Sequence, residues 1–124
     1  MATYDEYIKG VLQQIDDVHT LFSNLKDKPG DLDIIKRELA KVTGLLQALV
    51  NKLEANTEFA DYLFLLTPSK YFLQNHEFFR EIDTMSLLYS EDPMRLKNLR
   101  LTILEALDEK NLIGQIKAIL RDKS

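Results

Sequence analysis

Two runs of apolar residues in the first half of the chain step by alternating fours and threes. The first is Tyr4, Ile8, Val11, Ile15, Val18, Phe22 and Leu25; the second is Leu32, Ile35, Leu39, Val42, Leu46, Leu49 and Leu53. That rhythm holds one face of an α-helix against a partner and suits neither a strand nor a loop. Each run covers about three heptads, and the only strong breakers between them are Pro29 and Gly30. The pattern predicts two long helices folded back on each other through a short turn, an antiparallel hairpin over residues 3–55. Thr3 and Glu6 form a reciprocal capping box for the first helix, which is expected to run to about Lys26. Asp31 is the expected N-cap of the second, which should reach Glu54 or Ala55. Gly10 and Gly44 fall inside these helices, each costing about 1 kcal/mol relative to alanine.

The apolar face is wider than a two-stranded seam requires. Tyr7, Leu12 and Leu21 flank the first stripe, and Leu45 and Val50 the second. Helices with apolar flanks touch more than one neighbour, so the rest of the chain, or a second copy, must cover them.

After Asn56 the signals come in shorter units. Thr57 can cap a helix through Leu66, and Thr67-Pro68 reads as a new N-cap with proline in the first helical position. The helix that follows carries Tyr71, Phe72, Leu73, Phe78, Phe79 and Ile82, with an interruption near Asn75. Eight of the eleven aromatic residues lie between Phe59 and Tyr89, a concentration that reads as core before it reads as a ligand groove. Asp92-Pro93 repeats the cap-and-proline signal and opens a helix from Met94 to about Lys110. Its main stripe is Leu96, Leu99, Ile103, Ala106 and Leu107, while Met94, Leu101 and Leu104 lie on a second face more than a right angle away. A helix apolar on two faces is central in a bundle or sits in an interface, which makes Met94, Leu101 and Leu104 the candidate interface. Asn111 breaks the chain before a last short helix bearing Leu112, Ile113, Ile116, Ile119 and Leu120 on one face, with Lys117 and Arg121 together on its solvent side.

Composition narrows the chemistry. The chain has 124 residues, 45% apolar and 29% charged, a size and balance suited to one globular domain. With no cysteine and two histidines, disulfides, thiol catalysis and zinc–thiolate sites are excluded, and acid–base catalysis has few parts to work with. The four glycines stand singly, so no phosphate-cradling loop can form. His76-Glu77-Phe78-Phe79-Arg80 departs from the zinc-protease helix because Arg80 stands where a second histidine is needed. Asp16 and His19 have the spacing of a di-metal bundle pair, but no second pair accompanies them. No cofactor and no metal are expected. The acidic start, Met1 to Glu6, lacks the apolar core of a secretory signal, and no apolar stretch reaches the length of a membrane span, so the expected location is the cytoplasm.

The net charge of −4 is unevenly spread. Residues 1–57 hold nine acids and seven bases, residues 58–92 seven and two, and residues 93–124 four and seven. The basic last third is weak for a nucleic-acid face, and its bases do not align on one helix side. It is expected to pair with the acidic middle segment, inside one molecule or across a dimer. Leu99-Arg100, Leu107, Ile116-Lys117-Ala118 and Leu120-Arg121 resemble the short helical dimerisation hairpin of the LisH type found in some centrosomal proteins. The likeness covers about a fifth of the chain, and what it implies is association.

The sequence thus predicts a single all-α domain: a long coiled-coil-like helical hairpin packed with three or four shorter helices into a bundle. The expected role is protein–protein interaction through apolar helix faces, as an adaptor, regulatory subunit or structural component, with self-association expected. Two other readings stay open: a nucleic-acid-associated regulator using Lys117, Arg121 and the rest of the basic third, and a helical enzyme with a site in the aromatic segment 59–89.

Overall fold

The computed structural model describes the backbone of residues 2–55, 57–75, 78–88 and 92–121, and within those ranges the side chains of 6–55, 60–74, 78–88 and 92–121. The side chains of Tyr4, Phe59, His76, Glu77 and Tyr89 therefore lie outside the described ones, and the first helix already begins at Ala2, one residue before the expected cap at Thr3. The fold is an all-α bundle. Helix α1 spans Ala2–Asn24 and α2 spans Asp31–Ala55; a 3-10 segment, Thr57–Leu65, leads into α3 (Leu66–Asn75), then α4 (Phe78–Leu88), α5 (Pro93–Asp108) and α6 (Leu112–Arg121). Among the described residues no helix is long and apolar enough to cross a membrane.

The apolar rhythm of the first half is read directly into burial. Every member of the second run, Leu32 through Leu53, is buried, as are Ile8, Val11, Ile15, Val18 and Phe22 of the first. The stripes bury because α1 and α2 pack on each other, and the rest of the chain closes over their flanks. Helices α5 and α6 lie on α1, while the 3-10 segment, α3 and α4 lie on α2. Leu12 and Val50, two of the flanking positions, are fully inside as a result. The wide apolar face of the helix pair is thus covered mainly from within the molecule, and one continuous cluster runs from Ile8 to Ile116.

The helix ends differ in part from the sequence expectation. Helix α1 stops at Asn24, short of Lys26, because the chain turns into a left-handed conformation at Asp27 (φ 61°) and again at Gly30 (φ 95°). The Asp31 carboxylate does not cap α2 in the usual way. It accepts from the Lys28 backbone N–H at 3.1 Å, while the Asp31 N–H donates to the Lys28 carbonyl at 3.0 Å, so the residue closes the turn that precedes the helix. Thr67 is not an N-cap either, since α3 already begins at Leu66. Pro68 still falls in the first turn, where its missing N–H removes no helical bond. The interruption expected near Asn75 falls beside His76 and Glu77, which lie outside the described residues.

Candidate functional site

Helix α5 is where the sequence placed its candidate interface, and both of its ends are fixed by local chemistry. The Asp92 carboxylate accepts from the Met94 and Arg95 N–H groups at 3.0 and 3.3 Å, with Pro93 at the first helical position. At the far end Asn111 adopts φ 56° and its N–H donates to the Asp108 carbonyl at 2.8 Å. Its own carbonyl accepts from Gln115 at 3.0 Å and so starts α6. Gly114 leaves room for the Asn111 side chain: a Cβ at that position would stand 2.2 Å from the Asn111 side-chain oxygen, which would have to shift.

One side of α5 is locked to α1. Arg100 makes a two-pronged contact with Asp27, Nε to Oδ1 at 2.8 Å and Nη2 to Oδ2 at 3.0 Å, and its Nη1 donates to the Phe22 carbonyl at 3.3 Å. The last contact satisfies one of the orphan carbonyls at the C-terminal end of α1, where a cation is also favoured by the helix dipole. Arg100 and Asp27 keep only 12% and 16% of their side-chain surface in solvent. The Asp27 hydrogen bond, with further attraction from Asp27 and Asp31, pushes the guanidinium pKa above its already high ordinary value. Farther along, His19 of α1 meets Asp108 at 3.4 Å. Where α5 gives way to α6, Tyr71 of α3 hydrogen-bonds the Glu109 carboxylate. That bond, with some burial and the nearby negative charge, raises the phenol pKa above 10.0. The Lys110 ammonium stands 4.8 Å from the centre of the Tyr71 ring.

Within the molecule, part of the basic last third pairs elsewhere than with the acidic middle. Two bases of the last third, Arg100 and Lys117, pair with the first segment rather than the acidic middle: Arg100 with Asp27, and Lys117 with Asp16 at 2.7 Å. Lys117 and Arg121 do share one shallow surface with Gln13, Asp16 and Leu120, but the Asp16 carboxylate sits within it. Asp16 and His19 are held by separate partners. Among the described residues no three His, Asp or Glu side chains converge as metal ligands would.

The core stripe of α5, Leu96, Leu99, Ile103, Ala106 and Leu107, is buried as its spacing requires. Leu101 lies about 160° around the helix from both Leu99 and Ile103, nearly opposite the core. Met94, two turns earlier on the same side, is 63% exposed and Leu101 39% exposed. Leu104 is half-buried and packs against the core, so it forms a border of this face rather than its centre. The sequence reading missed a second pair: Leu87 and Leu88, in the last turn of α4, are 84% and 68% exposed. The signal was available. Phe78, Ile82 and Met85 step by four and three along the buried side of α4, a series that passes over positions 87 and 88.

Between α4 and α5 runs a groove of about 610 Å³, with Phe78 and Glu81 on one wall and Met94, Arg95, Asn98, Leu99 and Thr102 on the other. Its polar groups are largely engaged in structure. Asp92 caps α5, and the Thr102 hydroxyl donates to the Asn98 carbonyl at 2.7 Å. Of the aromatic segment, Tyr62, Phe72 and Phe78 are buried in the core, while Phe64 and Phe79 are exposed. A smaller hollow of about 120 Å³ lies among Leu39, Thr43, Phe72, Leu73, Phe78 and Phe79. The residues that carried the LisH-type likeness are engaged internally: Leu99, Leu107 and Ile116 are all in the core.

Comparison with protein-family models, with curated proteins and with solved structures finds no match to this chain.

Proposed function

We propose that this protein is a protein–protein interaction module that binds through the exposed apolar residues on the outer face of α5 and in the last turn of α4, without catalysis. The observation that carries this reading is the exposure of Met94, Leu101, Leu87 and Leu88 on helices whose core stripes are already buried. Folding leaves these side chains wet, so their apolar character is unused until a partner covers them. The rigid setting supports the same reading. With Asp92 and Asn111 fixing its ends and Arg100 anchoring its flank, α5 presents its outer face with little ordering cost on binding. The charged residues beside the apolar ones form the polar rim usual for such surfaces.

The test is a paired substitution, Met94→Glu with Leu101→Glu, compared with Lys41→Glu on the exposed side of α2. The α5 variant is expected to keep the wild-type melting temperature and helical circular dichroism while losing association with itself and with co-purifying partners. The α2 variant should keep both. Association unchanged by the α5 substitutions would place binding elsewhere and end this reading.

A further inference from the structure

The charges along the outer face of α5 are arranged so that the face complements itself. Lys97 and Glu105 lie one turn before and one turn after Leu101, each about 40° from it around the helix. Both are exposed, and among the described residues neither has an ion-pair partner within its own chain. Basic before and acidic after, with a leucine between them, is a pattern that a half-turn rotation maps onto its opposite.

Resting on the interaction reading above, we propose that the occupant of this face is a second copy of the chain, with the two α5 helices antiparallel and the twofold axis passing beside Leu101. A rotation about that axis sets each residue against the one equally far on the other side of position 101. Leu101 meets its own copy, Lys97 of each protomer meets Glu105 of the other, and Leu104 borders the contact. The same symmetry generates both ion pairs at once, as an isologous interface requires. A parallel pairing would instead set lysine against lysine and glutamate against glutamate, which is repulsive at both places. The flanks leave room for this arrangement. Helix α1 borders α5 on the side of Arg100, about 100° around from Leu101, and the groove toward α4 borders it on the side of Asn98 and Thr102, so the strip around Leu101 faces outward between them. Helix α1 meets the strip itself two turns on, where His19 contacts Asp108. One helix pair is small for an interface, so the dimer is expected to form in the micromolar range and to weaken with salt.

The experiment is a charge exchange on the full chain, read by sedimentation equilibrium. Lys97→Glu alone places acids against acids across the axis, and Glu105→Lys alone places bases against bases. Each variant by itself is expected to dimerise about tenfold or more weakly than wild type. An equimolar mixture of the two restores both ion pairs, and a heterodimer of near wild-type affinity is expected. Both positions are exposed, so each variant should stay folded, with a cooperative melt lowered only by the weaker dimer's mass-action contribution. Overturning results are a mixture that associates no better than its components, which rejects the antiparallel register, and a monomeric wild type at tens of micromolar, which rejects the second copy as occupant. In the latter case the interaction reading is judged separately, by whether Met94→Glu with Leu101→Glu releases the co-purifying partners.

Discussion

Replacing Leu46 by alanine is expected to lower the free energy of unfolding by about 2–5 kcal/mol. Leu46 is wholly buried at the middle of α2, the helix that α1, the 3-10 segment, α3, α4 and α5 all contact. Truncation there removes apolar area from the cluster and leaves a void under a helix face that the neighbouring elements cover along its length. The upper part of the range applies for that reason. Urea melts followed by circular dichroism check it, with the slope of the transition unchanged if the variant unfolds in the same single step. A loss under about 1 kcal/mol would mean that the stripe on α2 does not form the core.

The second large effect is expected at Arg100. Arg100→Met keeps most of the stem but removes both contacts to Asp27 and the bond to the Phe22 carbonyl. What remains is a largely covered carboxylate at Asp27, beside buried Asp31, and an unsatisfied helix terminus. The loss is expected to be about 2–4 kcal/mol, somewhat below a fully buried pair because both partners keep some contact with water. Adding Asp27→Gly to the methionine variant should return part of it. Glycine removes the stranded charge and also suits the left-handed backbone at that position (φ 61°). A double variant no more stable than the single one would show that the cost lies elsewhere. Raising the salt concentration should change the wild-type stability little at this pair, since covered charges are weakly screened.

The Arg100 clamp marks where sequence reasoning stops. Asp27 and Arg100 are 73 positions apart, and no local pattern links them; only the packing of α5 on α1 brings them together. The 4-3 apolar rhythm, by contrast, is a local property of each helix, and every member of the run in α2 is buried. Asp92-Pro93 was legible for the same reason, because an N-cap and its first turn are adjacent in sequence. Asp31 shows the limit of that logic. Its side chain had two sets of backbone donors within reach, and the tight turn at Lys28 captured it. The wide flanks at Leu12 and Val50 could be read as needing cover, but not as covered by the chain's own later helices. On α5 the second face was visible from spacing alone, whereas the half-burial of Leu104 depends on the elements packed beside it.

The measurement that bears most directly on the role of α5 is the solution mass of the wild type beside Leu101→Glu, by light scattering at tens of micromolar, with a thermal melt of each. The chain weighs 14.4 kDa. The wild type is expected to run as a dimer, and Leu101→Glu as a folded monomer with a cooperative melt, lowered only by the lost mass-action stabilisation of the dimer. The reason is that a carboxylate at that position stays in water in the monomer and is buried against its own copy in the dimer. A wild type of monomer mass, or a Leu101→Glu variant that remains a dimer, would contradict the account.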